Sequence, residues 1–382
     1  MLSSARQRRS FMIQLLVALS VATGLLYLLH NTATNLAERG IASGFDFLSR
    51  PAGFDIAFSL IPFGEGASFA RAFWVGVTNT LFVAGISMLV ATAVGLAVAL
   101  LRLSHNPLFK LLGGTYVEIA RNIPLLLHLF FWYFAVLRNL PGPRQSLDFA
   151  GLVFLNIRGL YVPFPEERAA MIWLLLLFVL GLFLGHLLRG RAVRLRVTQG
   201  RFPWWHLLPY GIPLFLPGVF LLATAGSWTF RVPELQGFNF SGGLQLIPEL
   251  VALVLALGLY TAAFVGEIIR AGIQSVPKGQ REAAGALGLS RFDTLRLIIL
   301  PQALRVVLPP LTSQYLNVTK NSSLAAAIAF PDLVLVFAGT ALNVTGQAVE
   351  IMAMTMLVYL VISLSISYLI HCFQMRVLRY DM

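Results

Sequence analysis

Long apolar stretches recur along the chain and alternate with short polar segments. A helix of about twenty apolar residues is long enough to cross the hydrocarbon core of a bilayer. Stretches of this kind lie at residues 11–30, 77–102, 107–137, 170–188, 206–224, 245–271, 303–328 and 346–372. The pattern predicts an all-α integral membrane protein with about eight transmembrane helices. Prolines and polar residues between Pro301 and Ala338 leave counts of seven or nine open in that region.

Composition and charge agree with a membrane protein. Of the 382 residues, 58% are hydrophobic and 12% are charged, which is far from the composition of a soluble globular domain. A net charge of +12 is also typical of proteins that bind nucleic acid. Here, however, the cations lie mostly beside predicted spans, where anionic lipid headgroups attract them. We therefore expect membrane lipids, and no nucleic acid, among the partners.

The distribution of Lys and Arg predicts the orientation of the chain, because cytosolic segments of membrane proteins carry an excess of these residues. With the N-terminus inside, most cations fall on the cytosolic side, including the basic connection from Arg189 to Arg201. Both termini and the polar loop 277–301 are then cytosolic, which requires an even number of spans. The first apolar stretch follows Arg8-Arg9 as in a signal peptide, but it is longer than a typical signal sequence, so we expect an uncleaved span.

The chain divides into four segments without a low-complexity linker. Residues 1–76 hold the first span, as an N-terminal anchor, and an external loop. Residues 77–137 hold two spans joined by a short turn. Residues 138–244 form an insert with an external loop, two spans and the basic cytosolic connection. Residues 245–382 hold the remaining spans and the polar loop 277–301.

The polar loop 277–301 is the most specific feature of the sequence. Residues 282–286 are, apart from Gly285, good helix formers, Gly288 permits a sharp turn, and Pro301 can begin a new helix. The order Glu282-Ala283-Ala284, three residues, Gly288, nine residues, Ile298-x-Leu300-Pro301 resembles the cytoplasmic loop of permease subunits of ATP-binding-cassette (ABC) importers. This resemblance implies the type I ABC importer permease fold, with a cytoplasmic coupling helix that docks on a separate ATPase. The implied ATPase-coupling residues are Arg281, Glu282, Ala283, Ala284, Gly288 and Leu289.

Further motifs narrow the resemblance to permeases for polar amino acids. These motifs are Gly76 to Leu81, Leu101 to Ser104, Arg121 to Leu126, Tyr260 to Pro277 and Lys320 to Leu324, and they cover about half of the chain. The first span and the 138–244 insert depart from a minimal permease of five spans. The enlarged layout resembles the larger membrane subunits of the general L-amino-acid (Aap/Bzt type) transporters of Gram-negative bacteria. Of two related subunits of that transporter, the sequence from Leu125 to Tyr133 favours the Q type.

The resemblance implies partners, cofactors and a location. A permease of this kind lies in the bacterial inner membrane and carries L-amino acids, over a broad range, from the periplasm to the cytosol. Its implied partners are a second homologous permease, a cytosolic ABC ATPase dimer and a periplasmic amino-acid-binding protein. ATP and Mg would be bound by the partner ATPase, and we expect no cofactor in this chain.

Charged residues within predicted spans are candidates for the substrate path, since such residues are costly in lipid and usually face a cavity or a partner. Glu118 and Arg121 are three residues apart, as are Glu267 and Arg270, so each pair shares a helix face. Arginine can bind the carboxylate of an amino acid through its planar fork, and glutamate can accept the ammonium group. Alternatively, each pair is an internal ion pair that fixes helix packing, and both readings remain open. The substrate-path candidates are Glu118, Arg121, Asn122, Tyr260, Phe264, Glu267, Arg270, Lys320, Ser322 and Ser323.

Two rival functions are weighed against the importer permease. A secondary transporter driven by an ion gradient also uses intramembrane charges, but it does not need the 277–301 loop. A membrane-embedded enzyme needs a nucleophile with a base, or a metal site. The sequence contains no Walker A, His-Glu-x-x-His, Cys-x-x-Cys or Gly-x-Ser-x-Gly pattern, and Cys372 is its single cysteine. We therefore predict no catalytic residue, no metal site and no ATP hydrolysis by this chain.

Overall fold

A computed structural model describes residues 5–38, 44–64, 66–167, 173–174, 176–185, 187–188, 191, 208–224 and 228–378. The chain forms two compact units, Met1–Tyr133 with Ala252–Met382, and Phe134–Val251. The predicted insert 138–244 falls inside the second unit. Its basic connection from Arg189 to Arg201 lies almost entirely outside the described residues.

Helices make up most of the first unit. They are α1 (Ala5–Glu38), α2 (Phe69–Leu103), α3 (Pro107–Asn122), α4 (Leu125–Phe130), and, after the second unit, α7 (Pro248–Gln274), α8 (Lys278–Ala286), α9 (Arg291–Asp293), α10 (Leu300–Asn321), α11 (Leu342–Thr345) and α12 (Ala348–Leu378). Three π-helical turns interrupt them, at Phe131–Val136, Thr294–Ile299 and Val334–Ala341, and a 3₁₀ turn spans Ser322–Ile328. The second unit adds two short apolar helices, α5 (Leu176–Gly185) and α6 (Leu208–Ala223).

Five helices among the described residues are long and apolar enough to cross a membrane: Arg9–Thr32, Phe69–Leu103, Pro248–Gln274, Arg291–Ile328 and Ala348–Met375. The helical membrane class is therefore confirmed. The described parts of the predicted spans 170–188 and 206–224 are helical but short, and the rest lies outside the described residues. The count of eight thus stays a prediction.

The stretch 107–137 is not the single straight span that its composition suggested. The helix breaks at Ile123 and Pro124, and Pro107–Asn122 and Leu125–Asn139 meet at an angle of 105°. Ile123 is extended, with φ −98° and ψ 129°, because the proline ring that follows it disfavours helical backbone at this position. A bent pair of this kind counts as one broken span.

Helices α2 and α7 pack closely along a seam of small residues. A Cβ atom at Gly258 would lie 2.7 Å from Val90, and one at Gly266 would lie 2.9 Å from the carbonyl oxygen of Gly95. Only glycine allows helices to approach so closely, as is common between membrane helices. The contacts advance along both helices in the same direction, so α2 and α7 are parallel. The turn after α2 and the loop after α7 therefore lie on the same side of the membrane.

The segment between α1 and α2 packs into the core of the first unit. Phe47 is fully buried, and its ring stacks on that of Phe337 with centroids 6.2 Å apart. The buried side-chain amide of Asn79 donates hydrogen bonds of 2.8 Å to the carbonyl oxygens of both Phe58 and Pro331. Asn79 thus ties this segment to the irregular backbone that precedes Val334–Ala341.

The second unit contains β-strands that the sequence analysis did not predict. An antiparallel sheet has the order β1-β2-β3-β8, and β4 pairs with β5 and β6 with β7. The strands are β1 (Leu147–Phe149), β2 (Val153–Asn156), β3 (Gly159–Val162), β4 (Phe164–Pro165), β5 (Phe230–Arg231), β6 (Glu234–Gln236), β7 (Asn239–Ser241) and β8 (Leu244–Leu246). These strands add a small β portion to a mostly helical chain, and the sequence did not reveal them because strands of two to four residues leave almost no alternating pattern to read.

Glu166, which directly follows strand β4, forms an exposed ion pair with Arg231 in strand β5. The Nε of Arg231 donates to Oε1 of Glu166 at 2.5 Å, and the hydroxyl of Thr229 donates to Oε2 at 2.9 Å. These hydrogen bonds, that from Arg231 first, lower the pKa of Glu166 below its usual range. The pair therefore links the two strands of this ribbon.

Candidate functional site

The polar loop 277–301 folds as the short helix α8, followed by a sharp turn. The backbone N–H of Leu289 donates to the carbonyl oxygen of Ala284 at 3.1 Å, and that of Gly288 donates to Gly285 at 3.0 Å. These two bonds form a Schellman motif, which satisfies the last carbonyl groups of the helix. Gly288 has a φ of +70°, a left-handed conformation that strains residues with a Cβ. The motif glycine is therefore required by the backbone.

The surface of α8 presents most of the candidate coupling residues. Arg281, Glu282 and Ala283 are exposed on it. Ala284 is fully buried, because α8 packs against the π-helical turn Thr294–Ile299. The helix is thus anchored on one face and open on the other.

Apolar side chains stand beside the charges of α8. Leu287 is 78% exposed and Phe292 is 67% exposed, while Leu289 is half-buried. Exposed apolar residues rimmed by charged ones are typical of a protein interaction surface. This surface has the chemistry that a protein partner requires.

Glu267 in α7 is held between two arginines. The Nε of Arg270 donates to both carboxylate oxygens, at 3.0 and 3.1 Å, and Arg102 at the end of α2 forms an ion pair with Oε2. Arg270 also donates to the side chain of Gln274. The three charged side chains are 23–25% exposed. The sequence identified the pair three residues apart but missed Arg102, which is 165 residues away from Glu267 along the chain.

Arg121 contacts an aromatic ring instead of the acidic residue three positions before it. Its guanidinium carbon lies 5.1 Å from the ring centroid of Phe264. The rings of Phe264 and Tyr260 are 5.1 Å apart, and those of Tyr260 and His128 are 5.6 Å apart. Glu118 is exposed and forms no ion pair with any residue that the structure describes. The internal ion pair considered for Glu118 and Arg121 is therefore absent, because the guanidinium turns to the aromatic face of α7.

The remaining candidates are more scattered. Lys320 and Asn122 are exposed. Ser322 is buried, and its hydroxyl donates to a carbonyl oxygen one turn earlier at 2.7 Å, while the hydroxyl of Ser323 donates to the carbonyl oxygen of Lys320 at 2.7 Å. Both hydroxyl groups are thus bonded to their own chain. Within the described part of the protein, no ion pair joins Lys320 to an acidic candidate.

Comparisons with known proteins place these features in a family. Residues 91–379 match the family of binding-protein-dependent transport system inner membrane components. The chain is 51% identical to the putative amino-acid ABC transporter permease protein YhdX of Escherichia coli strain K12, over 97% of this chain and 94% of that protein. It is 44% identical to the general L-amino acid transport system permease protein AapQ of Rhizobium johnstonii, over 96% and 92% of the two chains. It is 39% identical to the glutamate/glutamine/aspartate/asparagine transport system permease protein BztB of Rhodobacter capsulatus, over 96% and 92%.

The family match covers well over half of the chain. The protein therefore belongs to the inner membrane components of binding-protein-dependent transport systems, which are the permeases of ABC importers. It is a multi-pass component of a transporter and not itself an enzyme. The predicted ABC importer permease of type I fold and the resemblance to the Aap and Bzt proteins are confirmed. The alternative of a transporter driven by an ion gradient finds no support.

Proposed function

We propose that this chain forms one part of the membrane pathway of an importer that carries a broad range of L-amino acids by alternating access. A second homologous permease completes the pathway, and a cytosolic ATPase dimer binds ATP and Mg²⁺ and drives transport. A periplasmic amino-acid-binding protein delivers the substrate. The names of the relatives, which are amino-acid permeases, support this substrate class.

The observation that carries the proposal is the exposed helix α8 with its complete sequence motif. Buried Ala284 and the turn at Gly288 hold α8 in one orientation, while Arg281 and Glu282 stay exposed to a partner. A short rigid helix of this kind can pass on the motion of a soluble ATPase. We infer that α8, the turn after α2 and both chain termini face the cytosol, in line with the distribution of Lys and Arg.

We infer that the substrate is bound by charges that form no ion pair among the described residues. Glu118 and Arg121 lie on α3 and are exposed, although such groups are costly against lipid. We infer that they face the pathway, where Arg121 binds the α-carboxylate and Glu118 the α-ammonium group of an amino acid. The same reasoning separates Glu267 and Arg270 from the site, because each already has a charged partner.

An apolar cavity supports a loosely specified side chain. It has a volume of about 470 Å³ and lies beside α3, where Ala120, Ile123, Tyr116, His128 and Trp132 line it, while Glu118 and Arg121 are not among its lining residues. The phenol of Tyr116 donates to the carbonyl oxygen of Leu259 at 2.5 Å, so it is not free for a polar ligand. A cavity of this kind accepts side chains by volume and not by hydrogen bonds, which suits a broad range of amino acids.

The test is uptake by the assembled complex in vesicles. Removing one charge-assisted contact costs about 1.5–3 kcal/mol, or roughly ten- to a hundredfold in affinity. We expect Glu118→Gln and Arg121→Gln to weaken uptake of several amino acids together while the amount of complex holds. Lys110→Gln, which removes an exposed cation from the start of the same helix, serves as the control and leaves uptake unchanged. Uptake by the chain alone, or ATP hydrolysis by it, would contradict the proposed function.

A further inference from the structure

The ion pair between Arg102 and Glu267 joins two helical arms of the fold. The first arm is α7 with α8, and the second is α2 with α3. Glu267 lies about two turns before the end of α7, and α7 continues through Pro277 into α8. Arg102 lies in the last turn of α2, and α2 continues through a short turn into α3. One arm ends at the candidate ATPase-docking surface, and the other bears the candidate substrate residues of α3.

The arm that contains α8 is packed as one body. A Cβ atom at Gly272 would lie 2.2 Å from a methyl group of Val307, so α7 and α10 touch there. Val276, Ile299 and Ala303 form a buried apolar cluster at the base of α8. Because these segments are closely packed, we expect the end of α7 to move together with α8.

Arg102 also contacts the neighbouring helix α3 directly. A Cβ atom at Gly113 in α3 would lie 2.8 Å from the Cγ of Arg102, so the aliphatic part of this arginine packs on α3. Its guanidinium group reaches α7 and binds Glu267, where Arg270 holds the other side of the carboxylate. One side chain thus contacts α3 with its stem and α7 with its charge.

We propose that Arg102 is a positioning residue that transmits the displacement of α8 to the α2–α3 hairpin, through its ion pair with Glu267. The inference rests on the proposed function. The side chains of this pair are about a quarter exposed, so it is not fully buried, which suits a contact that re-forms in each transport cycle. A fully buried pair would be far more costly to open.

The experiment uses the complete complex in vesicles and measures four quantities: copurified ATPase, basal ATP hydrolysis, hydrolysis stimulated by the binding protein, and uptake of labelled amino acid. We expect Arg102→Gln to leave copurified ATPase and basal ATP hydrolysis unchanged, and to lower the uptake per ATP hydrolysed roughly five- to tenfold. Arg102→Lys keeps the charge and retains most of the coupling. Exchange of the two charges, Arg102→Glu with Glu267→Arg, restores more coupling than either single change gives. The control Lys110→Gln leaves all four quantities unchanged.

The outcomes are distinguishable from those that test the proposed function. If the natural chain does not copurify with an ATPase, the proposed function fails. If it does, but Arg102→Gln leaves uptake per ATP unchanged, or the charge exchange is no better than the single variants, the role of Arg102 is refuted. If the Arg102→Gln protein does not accumulate in the membrane, the variant with exchanged charges alone decides whether Arg102 has the proposed role. Loss of all Arg102 variants from the membrane would show a purely structural role and would also overturn the proposal.

Discussion

A single methyl group at Gly288 tests whether the turn after α8 is needed for coupling. Gly288 has a φ of +70°, and a Cβ atom there would meet nothing within 4 Å. The cost of Gly288→Ala is therefore conformational alone, about 1–2 kcal/mol for a left-handed residue that carries a Cβ. Gly285 has equally open surroundings but lies within α8, so Gly285→Ala stabilises the helix by about 0.5–1 kcal/mol. The same methyl group, added at two neighbouring sites, should thus destabilise the turn after α8 at one and stabilise α8 at the other.

The assay is uptake by the reconstituted complex, together with the amount of ATPase that copurifies. If the whole cost at Gly288 goes into unwinding the end of α8, the equilibrium constant between the intact and the unwound end falls roughly five- to thirtyfold, and the competent population falls by at most that factor. We expect uptake in Gly288→Ala to fall within this limit, and uptake in Gly288→Val, with a branched side chain, to fall further. Gly285→Ala keeps normal uptake. Equal uptake in Gly288→Ala and Gly285→Ala at equal abundance would refute this reasoning.

Three further predictions concern other parts of the chain. Glu282→Lys reverses a charge on the exposed face of α8, so uptake falls while the protein stays abundant in the membrane; normal uptake would contradict a docking role. Asn79→Leu leaves one buried and one partly buried backbone carbonyl group without their donor and lowers the stability of the permease by about 2–4 kcal/mol, which an unchanged thermal midpoint in detergent would disprove. Because Arg231 lowers the pKa of Glu166, their pair stabilises its ribbon above the usual pKa of glutamate and is lost as pH falls through the lowered value. Proteolysis of the second unit should therefore accelerate in acid for the natural chain, and Glu166→Gln should remove that dependence.

Much of the helical fold could be predicted because the hydrophobic signal is local. A span is read from its own twenty residues, as for α2 and α12, and the turn at Gly288 follows from the one residue type that tolerates its backbone. The broken span at Ile123 and Pro124 was missed, although the proline is visible, because apolar composition alone does not register a bend. The β-strands of the second unit were missed because each is too short to show a period, and because β3 and β4 pair with strands far away in the chain, β8 and β5.

The candidate site likewise has features that the sequence predicts and features that only the structure shows. The sequence by itself determined that the chain is a membrane permease, where its polar loop 277–301 lies and which ionisable groups fall in apolar stretches, since each of these depends on residues close together in the chain. Only the tertiary structure decided which charges are partnered. Arg121 turns from Glu118 to the ring of Phe264, and Arg102 reaches Glu267 from a helix 165 residues away. Spacing along one helix sets which residues share a face, but the choice among partners depends on the neighbouring helix, and the glycine seam between α2 and α7 is what brings that helix close enough.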